Sequence, residues 1–460
     1  MSLKEQLTSL LGSGVVDDDP ETLAAHSGDK WFASHAPEAV VFAESTGQVS
    51  RLLAFANTHH IPVTPRGGGV GYVGGCVPAR GGIALSLARM NRIKEIHPAD
   101  GVAVVEPGVI TGDLQAAARA LGLYYPPDPA SLKECTLGGN IATNAGGPRC
   151  LKYGVTRSYL LGLEVVLASG EILRTGGRTH KNKTGFDLVG LFTGSEGLLG
   201  VVTEATLRLI PLPPARATVS ASFATFPEAA NAVQRVLGAG FLPAALEIAD
   251  AFTLQSARGY LGASLVPAGE GHLLIDLDGH AESVASETKA LAALVRGLGA
   301  VFLETAEGEA ACEALWELRR QFSQSLKATG LTKLNEDIVV PRGRLVDLAE
   351  FAASLRARYG VPVACFGHAG DGNIHTNLMA ADYDRPEVKE RISRALDELF
   401  TQVLAWGGSI TGEHGIGLAK QRWWEQAVSP VSRRVHETLK QALDPNGILN
   451  PGKFVASGSQ

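Results

Sequence analysis

Apolar positions along the chain recur with two periods. Residues 38–66 hold an apolar run (PEAVVFA), a stretch of helical apolar spacing (GQVSRLLAFANTH) and a second run (IPVTP). This pattern predicts a strand–helix–strand unit with Ser45 or Thr46 as N-cap. GIALSLA and GVAVVEPGV read as further short strands, and Thr111 opens a helix to residue 121. Beyond a Gly/Asn/Ala-rich stretch at 134–150, LGLEVVLA, EILRT and GVVTEATLRLIPL predict strands joined by hairpin turns. The proline-rich LIPLPPAR then marks a domain boundary.

After that boundary strands and helices alternate: ATVSASF, a helix at 227–237, AALEIAD, the alternating HLLIDLDG, and a helix at 281–298. NEDIVVP, VPVACFGH and a helix at 385–404 follow. The fold class expected is α+β, with an antiparallel sheet carrying helices on one face in the second half. The predicted divisions are an N-terminal segment (1–36), a first domain (37–214), a second (215–420), and a C-terminal segment (421–460). That last segment carries DPNGILNPGKF, which has little apolar content of its own and is expected to pack back on the first domain. No internal repeat stands out.

Composition narrows the classes of function. A chain of 460 residues, 45% of them hydrophobic, is too long for one core. No apolar run reaches the length of a membrane span, and MSLKEQLTSLLGSG is too polar for a secretory signal. A net charge of −6 without a basic stripe argues against nucleic acid. Cys76, Cys135, Cys150, Cys312 and Cys365 form no CxxC pair, which predicts a reducing, cytoplasmic setting rather than a disulfide framework.

The 54 glycines cluster. PRGGGVGYVGG contains a GxGxxG at Gly69, Gly71 and Gly74, the spacing of a Rossmann fingerprint. That fingerprint should open a helix, and the following CVPARGGIAL cannot start one. Six glycines in residues 67–75 each cost about 0.5–1 kcal/mol of extra chain entropy. Such a loop is suited to closing backbone N–H groups on an anion. CTLGGNIATNAGG has the same character, with Asn140, Thr143 and Asn144 able to reach sugar or phosphate. GSEGLLGVVTEATL is a third feature, with Glu196 ahead of a strand that starts at 200–202.

PRGGGVGYVGG, PDPAS, CTLGGNIATNAGG and GLLGVVT, in this order, resemble the FAD domain of the vanillyl-alcohol oxidase / p-cresol methylhydroxylase superfamily. Within it, the chain from about Pro37 to Phe454 is similar to the FAD-linked D-2-hydroxyacid dehydrogenases. These include the D-lactate and D-2-hydroxyglutarate enzymes and the glycolate oxidase flavoprotein subunit. The resemblance implies a two-subdomain FAD-binding domain of the p-cresol methylhydroxylase type followed by a cap domain. It implies flavin contacts at Pro65, Arg66, Gly67, Gly68, Gly69, Val70, Gly71, Gly74 and Gly75. Further contacts are implied at Pro127, Asp128, Ser131, Thr136, Gly138, Gly139, Asn140, Thr143, Asn144, Gly146, Gly147 and Tyr153, and at Glu196, Gly200, Val201, Val202 and Asn450. Val70 departs from the family, which has Thr or Ser there. The loop lacks the His that links FAD covalently in some relatives, so non-covalent FAD is expected.

GHAGDGNIH carries a second kind of chemistry. If Asp371 and Gly372 form a two-residue turn, 368 faces 375 across the hairpin, with Cβ atoms about 5 Å apart. Two imidazoles at that spacing can chelate an ion, or can simply hydrogen-bond within a sheet. SITGEHGIG adds Glu413 and His414, and a carboxylate with two imidazoles suits zinc, manganese or iron. The resemblance implies that His368, His375 and Glu413 hold a divalent metal and that His414 is the general base. A hydroxyl is too weak an acid for neutral imidazole to deprotonate unaided, and a metal on its oxygen lowers that pKa by several units. By the same resemblance Arg319, in WELRRQF, clamps the substrate carboxylate. Ser323 lies one helical turn on, Lys333 is a further candidate, and Asn373 either touches substrate or stabilises the turn. Of Arg319 and Arg320, at least one is expected on a solvated face.

The expected activity is oxidation of a small, D-lactate-like D-2-hydroxy acid to the 2-oxo acid. D-2-hydroxyglutarate and glycolate are alternative substrates. Electrons would pass to a quinone, a cytochrome or an electron-transfer flavoprotein, from an enzyme in the cytoplasm or peripheral at the inner membrane face; a homodimer is compatible with this. An alkyl-glycerone phosphate synthase-like activity would call for a basic cluster, which is not obvious. A non-catalytic flavin-binding subunit would predict damage to a set that is intact.

Overall fold

The computed structural model describes residues 1–455. The chain divides into two compact units. Unit 1 comprises Met1–Gly146, Val155–Leu212 and the chain from Glu413 onward; unit 2 comprises Gly147–Gly154 and Pro213–Gly412. Three stretches therefore differ from the expected division. Gly147–Gly154 and residues 213–214 belong with unit 2, and residues 413–420 belong with unit 1.

Unit 1 begins with the strand–helix–strand unit read from the sequence. Strand β1 (Ala39–Phe42) leads into helix α1 (Thr46–His59), capped by the Ser45 side chain on the Gln48 N–H, and then into β2 (Val63–Arg66). Strand β3 (Ile83–Ser86) lies between β1 and β2, parallel to both. Val41, Leu52, Leu53, Val63 and Leu85 are fully buried in one core. An antiparallel five-stranded sheet follows, built from β4 (Ile93–His97), β5 (Val102–Val105), β6 (Leu160–Val166), β7 (Ile172–Gly176) and β8 (Val201–Arg208), in the order β4-β5-β8-β6-β7.

The Cys135–Gly147 stretch, read as loop, contains a helix, α2 (Leu137–Thr143). Thr136 caps it through the Gly139 N–H, and Asn144 ends it in the left-handed region at φ 51°. Glycine is needed at 138 for packing, because a Cβ there would lie 2.6 Å from the Pro107 Cβ. The C-terminal segment packs on unit 1: Leu449 bridges Val63, and the Asn450 N–H donates to the Val63 carbonyl.

Unit 2 is a seven-stranded antiparallel sheet. Its strands are β9 (Ala215–Phe223), β10 (Ala245–Ala249), β11 (Gly271–Gly279), β12 (Phe302–Glu307), β13 (Thr332–Val339), β14 (Val363–His368) and β15 (Asn373–Ala380). They run in the order β12-β9-β11-β10-β14-β15-β13. Helices α3 (Phe226–Gly238), α5 (Ala281–Gly297) and α7 (Leu345–Tyr359) pack against one face. Helices α4 (Ala251–Leu261) and α6 (Glu309–Lys327) cover part of the other. The alternation of HLLIDLDG decides which is which. Leu273, Ile275 and Leu277 point toward α3, while His272, Leu274 and Asp276 share the face of Trp316 on α6. No described helix is long and apolar enough to cross a membrane.

Candidate active site

In unit 1 the two glycine segments pack directly on each other. A Cβ at Gly67 would lie 2.4 Å from Thr136 Oγ1, and one at Gly68 2.5 Å from the Glu134 carbonyl. Gly69 and Gly74 hold positive φ, and Gly69 lies against the Arg66 guanidinium, which itself donates to the carbonyls of Gly28 and Ala25. The chain runs on through turns to β3 at Ile83, with no helix. The backbone N–H groups of Gly68, Gly69, Val70 and Gly71 donate to no hydrogen bond among the described residues. Four consecutive peptide donors on glycine-rich backbone suit a pyrophosphate.

Several side chains expected at the cofactor are engaged within the protein. Asn140 donates to Thr111 Oγ1 at 2.6 Å, Thr143 to the Gly139 carbonyl, and Asn144 Oδ1 accepts from the Arg157 N–H. The Pro127 carbonyl accepts from Gln115, and the Ser131 carbonyl from the N–H groups of Glu134 and Cys135. Asp128 sits in the same turn region. The Tyr153 hydroxyl, in unit 2, donates to Asp278 at 2.8 Å. Gly146 and Gly147 stand where the chain passes from unit 1 to unit 2. Gly200 lets β8 approach β6, since a Cβ would lie 2.5 Å from Val165 Cγ1; Val201 and Val202 pair with Val166 and Val165.

Glu196, expected at the cofactor, is also engaged within the protein. Its carboxylate accepts from the N–H groups of Ile416 (2.8 Å) and Gly417 (2.9 Å), just after His414. Burial raises its pKa against these two bonds. Asn450 donates to the carbonyls of Gly75 and Glu196, tying the glycine loop to the same knot. His414 stacks at 5.5 Å, ring centre to ring centre, on Tyr72 of the glycine loop.

In unit 2 the hairpin differs from the expected register. His368 pairs with Asn373, and Phe366 with His375, so the turn spans Ala369 to Gly372 rather than two residues. The Gly372 N–H closes it on the His368 carbonyl, with Gly372 at φ +85°. Directly paired residues share a face, so the slip leaves both histidines on the same side. Their ring centres lie 5.6 Å apart.

Glu247 of β10 pairs with His368 and is buried on that face. Its Oε1 accepts from His368 Nδ1 at 2.6 Å and its Oε2 from Arg319 Nε at 2.6 Å. Burial alone would raise its pKa; the facing His368 and Arg319 outweigh this and hold it at about 2. The Arg319 guanidinium also lies 4.9 Å from the Phe366 ring centre. Lys333 donates to Ser323 Oγ at 2.8 Å, and burial together with Lys327 and Arg319 lowers its pKa to about 8. Arg320 pairs with Glu313 and Glu317 on the exposed side of α6.

Asn373 donates to the Ile338 carbonyl and packs on Gly412, which makes it a turn and packing residue. Asp337 of β13 pairs with His375, and its carboxylate accepts from the Thr411 hydroxyl and the Gly412 N–H. The next residue along the chain is Glu413, where unit 1 resumes. Ligand atoms of His368, His375 and Glu413 fall within 4.8 Å of one another, which fits a single cation. Sequence reasoning missed Glu247 and Asp337. For Glu247 the signal was a lone carboxylate inside the otherwise apolar AALEIA; Asp337, in the polar half of NEDIVV, gave no such signal.

Residues 37–176 match the FAD binding domain family, and residues 212–454 match the C-terminal domain of FAD linked oxidases. The chain belongs to the FAD-linked oxidases. Among relatives of this family, the glycolate oxidase subunit GlcD of Bacillus subtilis (strain 168) is 39% identical over 459 residues, covering 100% of this chain and 97% of its own. A D-lactate dehydrogenase of Anaerostipes hadrus is 34% identical, covering 96% of this chain and 94% of its own. In fold the chain resembles p-cresol methylhydroxylase, with a TM-score of 0.82 at 22% identity over 98% of this chain and 96% of that one. The superfamily resemblance, the α+β class and oxidoreductase activity therefore hold. In this FAD-linked oxidase the FAD binding family spans both glycine segments, including the Gly68–Gly71 peptides that donate to no hydrogen bond among the described residues.

Proposed function

We propose that the enzyme oxidises a small D-2-hydroxy acid, D-lactate-like, to the 2-oxo acid. The observation that supports this best is the line Arg319–Glu247–His368 beside His375: a cation for a carboxylate next to an imidazole pair. Bound FAD supplies the hydride acceptor, and a divalent ion supplies positive charge that acidifies the hydroxyl.

The side chains divide the remaining work. Arg319 grips the carboxylate through its outer nitrogens, and Lys333 adds positive charge beside it. His368, His375 and Glu413 hold the ion. His414 accepts the hydroxyl proton on its imidazole, with Glu196 and Tyr72 fixing the backbone and ring from which it acts. The glycine loop carries the flavin pyrophosphate without a covalent link. Electrons then leave to a separate acceptor.

Purified full-length enzyme assayed on D- and L-2-hydroxy acids with a dye acceptor tests this reading. D-lactate or a close analogue should be oxidised fastest; L-lactate outpacing every D-acid overturns it.

A further inference from the structure

We propose that Glu247 is a positioning residue that sets two groups at once, the metal-facing imidazole of His368 and the carboxylate-facing guanidinium of Arg319. The inference rests on the reading of His368 as a metal ligand given above.

One carboxylate oxygen serves each partner. Oε1 accepts a hydrogen bond from His368 Nδ1–H at 2.6 Å, which selects the Nδ1–H tautomer and makes Nε2 the ring's acceptor nitrogen. Oε2 takes the Arg319 Nε proton at 2.6 Å. The Nη1 and Nη2 groups of Arg319 make no hydrogen bond among the described residues, so the outer edge of the guanidinium is left for an anion. The Phe366 ring backs that guanidinium from one side.

The residue is a costly one to keep. Glu247 is 1% exposed and lies on the β10 strand between Leu246 and Ile248, both buried in the apolar layer. A buried ion pair gives little net stability over apolar packing. Its retention here follows if the carboxylate is needed to aim its two neighbours. Only a group with two acceptor oxygens can serve two donors whose chain positions are 121 and 72 residues away. In Glu247→Gln, the amide presents one acceptor oxygen and one donor nitrogen, so either a partner is released or His368 takes the other tautomer, with its proton on Nε2.

The test uses metal-free, flavin-loaded full-length enzyme titrated with zinc, alongside the KM for D-lactate. Glu247→Gln should weaken zinc binding by about 10–100-fold, the usual loss for a residue behind a metal ligand, or raise KM by about tenfold. Glu247→Asp keeps the charge but withdraws the oxygens by one methylene; it should show the same losses and carries the test if the glutamine variant does not fold. Zinc affinity and KM both unchanged in a folded variant, with only the melting temperature lowered, overturn the proposal. His368→Ala is the control. It should abolish zinc binding; wild-type zinc affinity in that variant removes the metal reading and the inference with it, whereas loss in His368→Ala alone removes only the role of Glu247.

Discussion

The two faces of the seven-stranded sheet come from the same strands and differ in almost everything else. One face presents Val219, Ile275, Leu246, Ile248, Ile374 and Ile338 to the helices α3, α5 and α7. The other presents Thr218, Asp276, Glu247, His368, His375 and Asp337, every one of them buried. The first face stabilises by removing apolar surface from water, and any close-packed set of similar volume would serve. The second face stays buried only because its charges are matched. Arg216 and Trp316 Nε1 satisfy Asp276, Arg319 and His368 satisfy Glu247, and the Thr411 hydroxyl with the Gly412 N–H satisfies Asp337. The face whose burial needs matched polar partners is the one to which the proposed chemistry is assigned.

Arg319→Ala should break the second face most severely. It leaves the Glu247 charge with His368 alone, and about 3–5 kcal/mol of stability should be lost together with a higher KM for the hydroxy acid. Urea unfolding and steady-state kinetics read the two effects, and unchanged stability would refute the matched-charge account. Lys333 gives a pH signature of the same face. With a pKa lowered to about 8, its charge is present below that pH and is lost above it, so KM for a carboxylate substrate should climb as pH passes 8. In Lys333→Met that climb should vanish; its persistence would assign it to another group.

The apolar face should respond to Ile275→Val in stability only, by about 0.5–1.5 kcal/mol, with kcat and KM as in the wild type. A kinetic change without a stability change would mean that the two faces are not separate. Tyr153→Phe should be the mildest, removing one hydrogen bond to Asp278 worth about 0.5–1.5 kcal/mol while the bound-flavin spectrum stays as it was. Loss of flavin from that variant would return Tyr153 to the cofactor role first expected of it.

Much of this was legible in the chain because local order carries it. Residues 38–66 announced a strand, a helix and a strand through apolar spacing, and these form β1, α1 and β2. The glycine runs at 65–75 and 135–147 pointed to backbone close to an anion, since clustered glycine has few other uses. HLLIDLDG declared two unlike faces by simple alternation. Asp-Gly marked the turn near His368, but its length was set elsewhere. The Gly372 N–H closes on the His368 carbonyl, and the Val340 N–H bonds to the Gly372 carbonyl from a third strand.

Tertiary structure alone decided which polar groups meet. Glu196 grips backbone 220 residues on, Glu247 reaches Arg319 and His368, and the Tyr153 hydroxyl donates to Asp278. Periodicity reports the face on which a residue lies, because that depends on its neighbours in the chain. The partner it finds depends on strand order and register, which are set by the packing of distant segments. A buried carboxylate in an apolar strand can be seen in the sequence; the cations that make its burial tolerable appear only once the sheet is assembled.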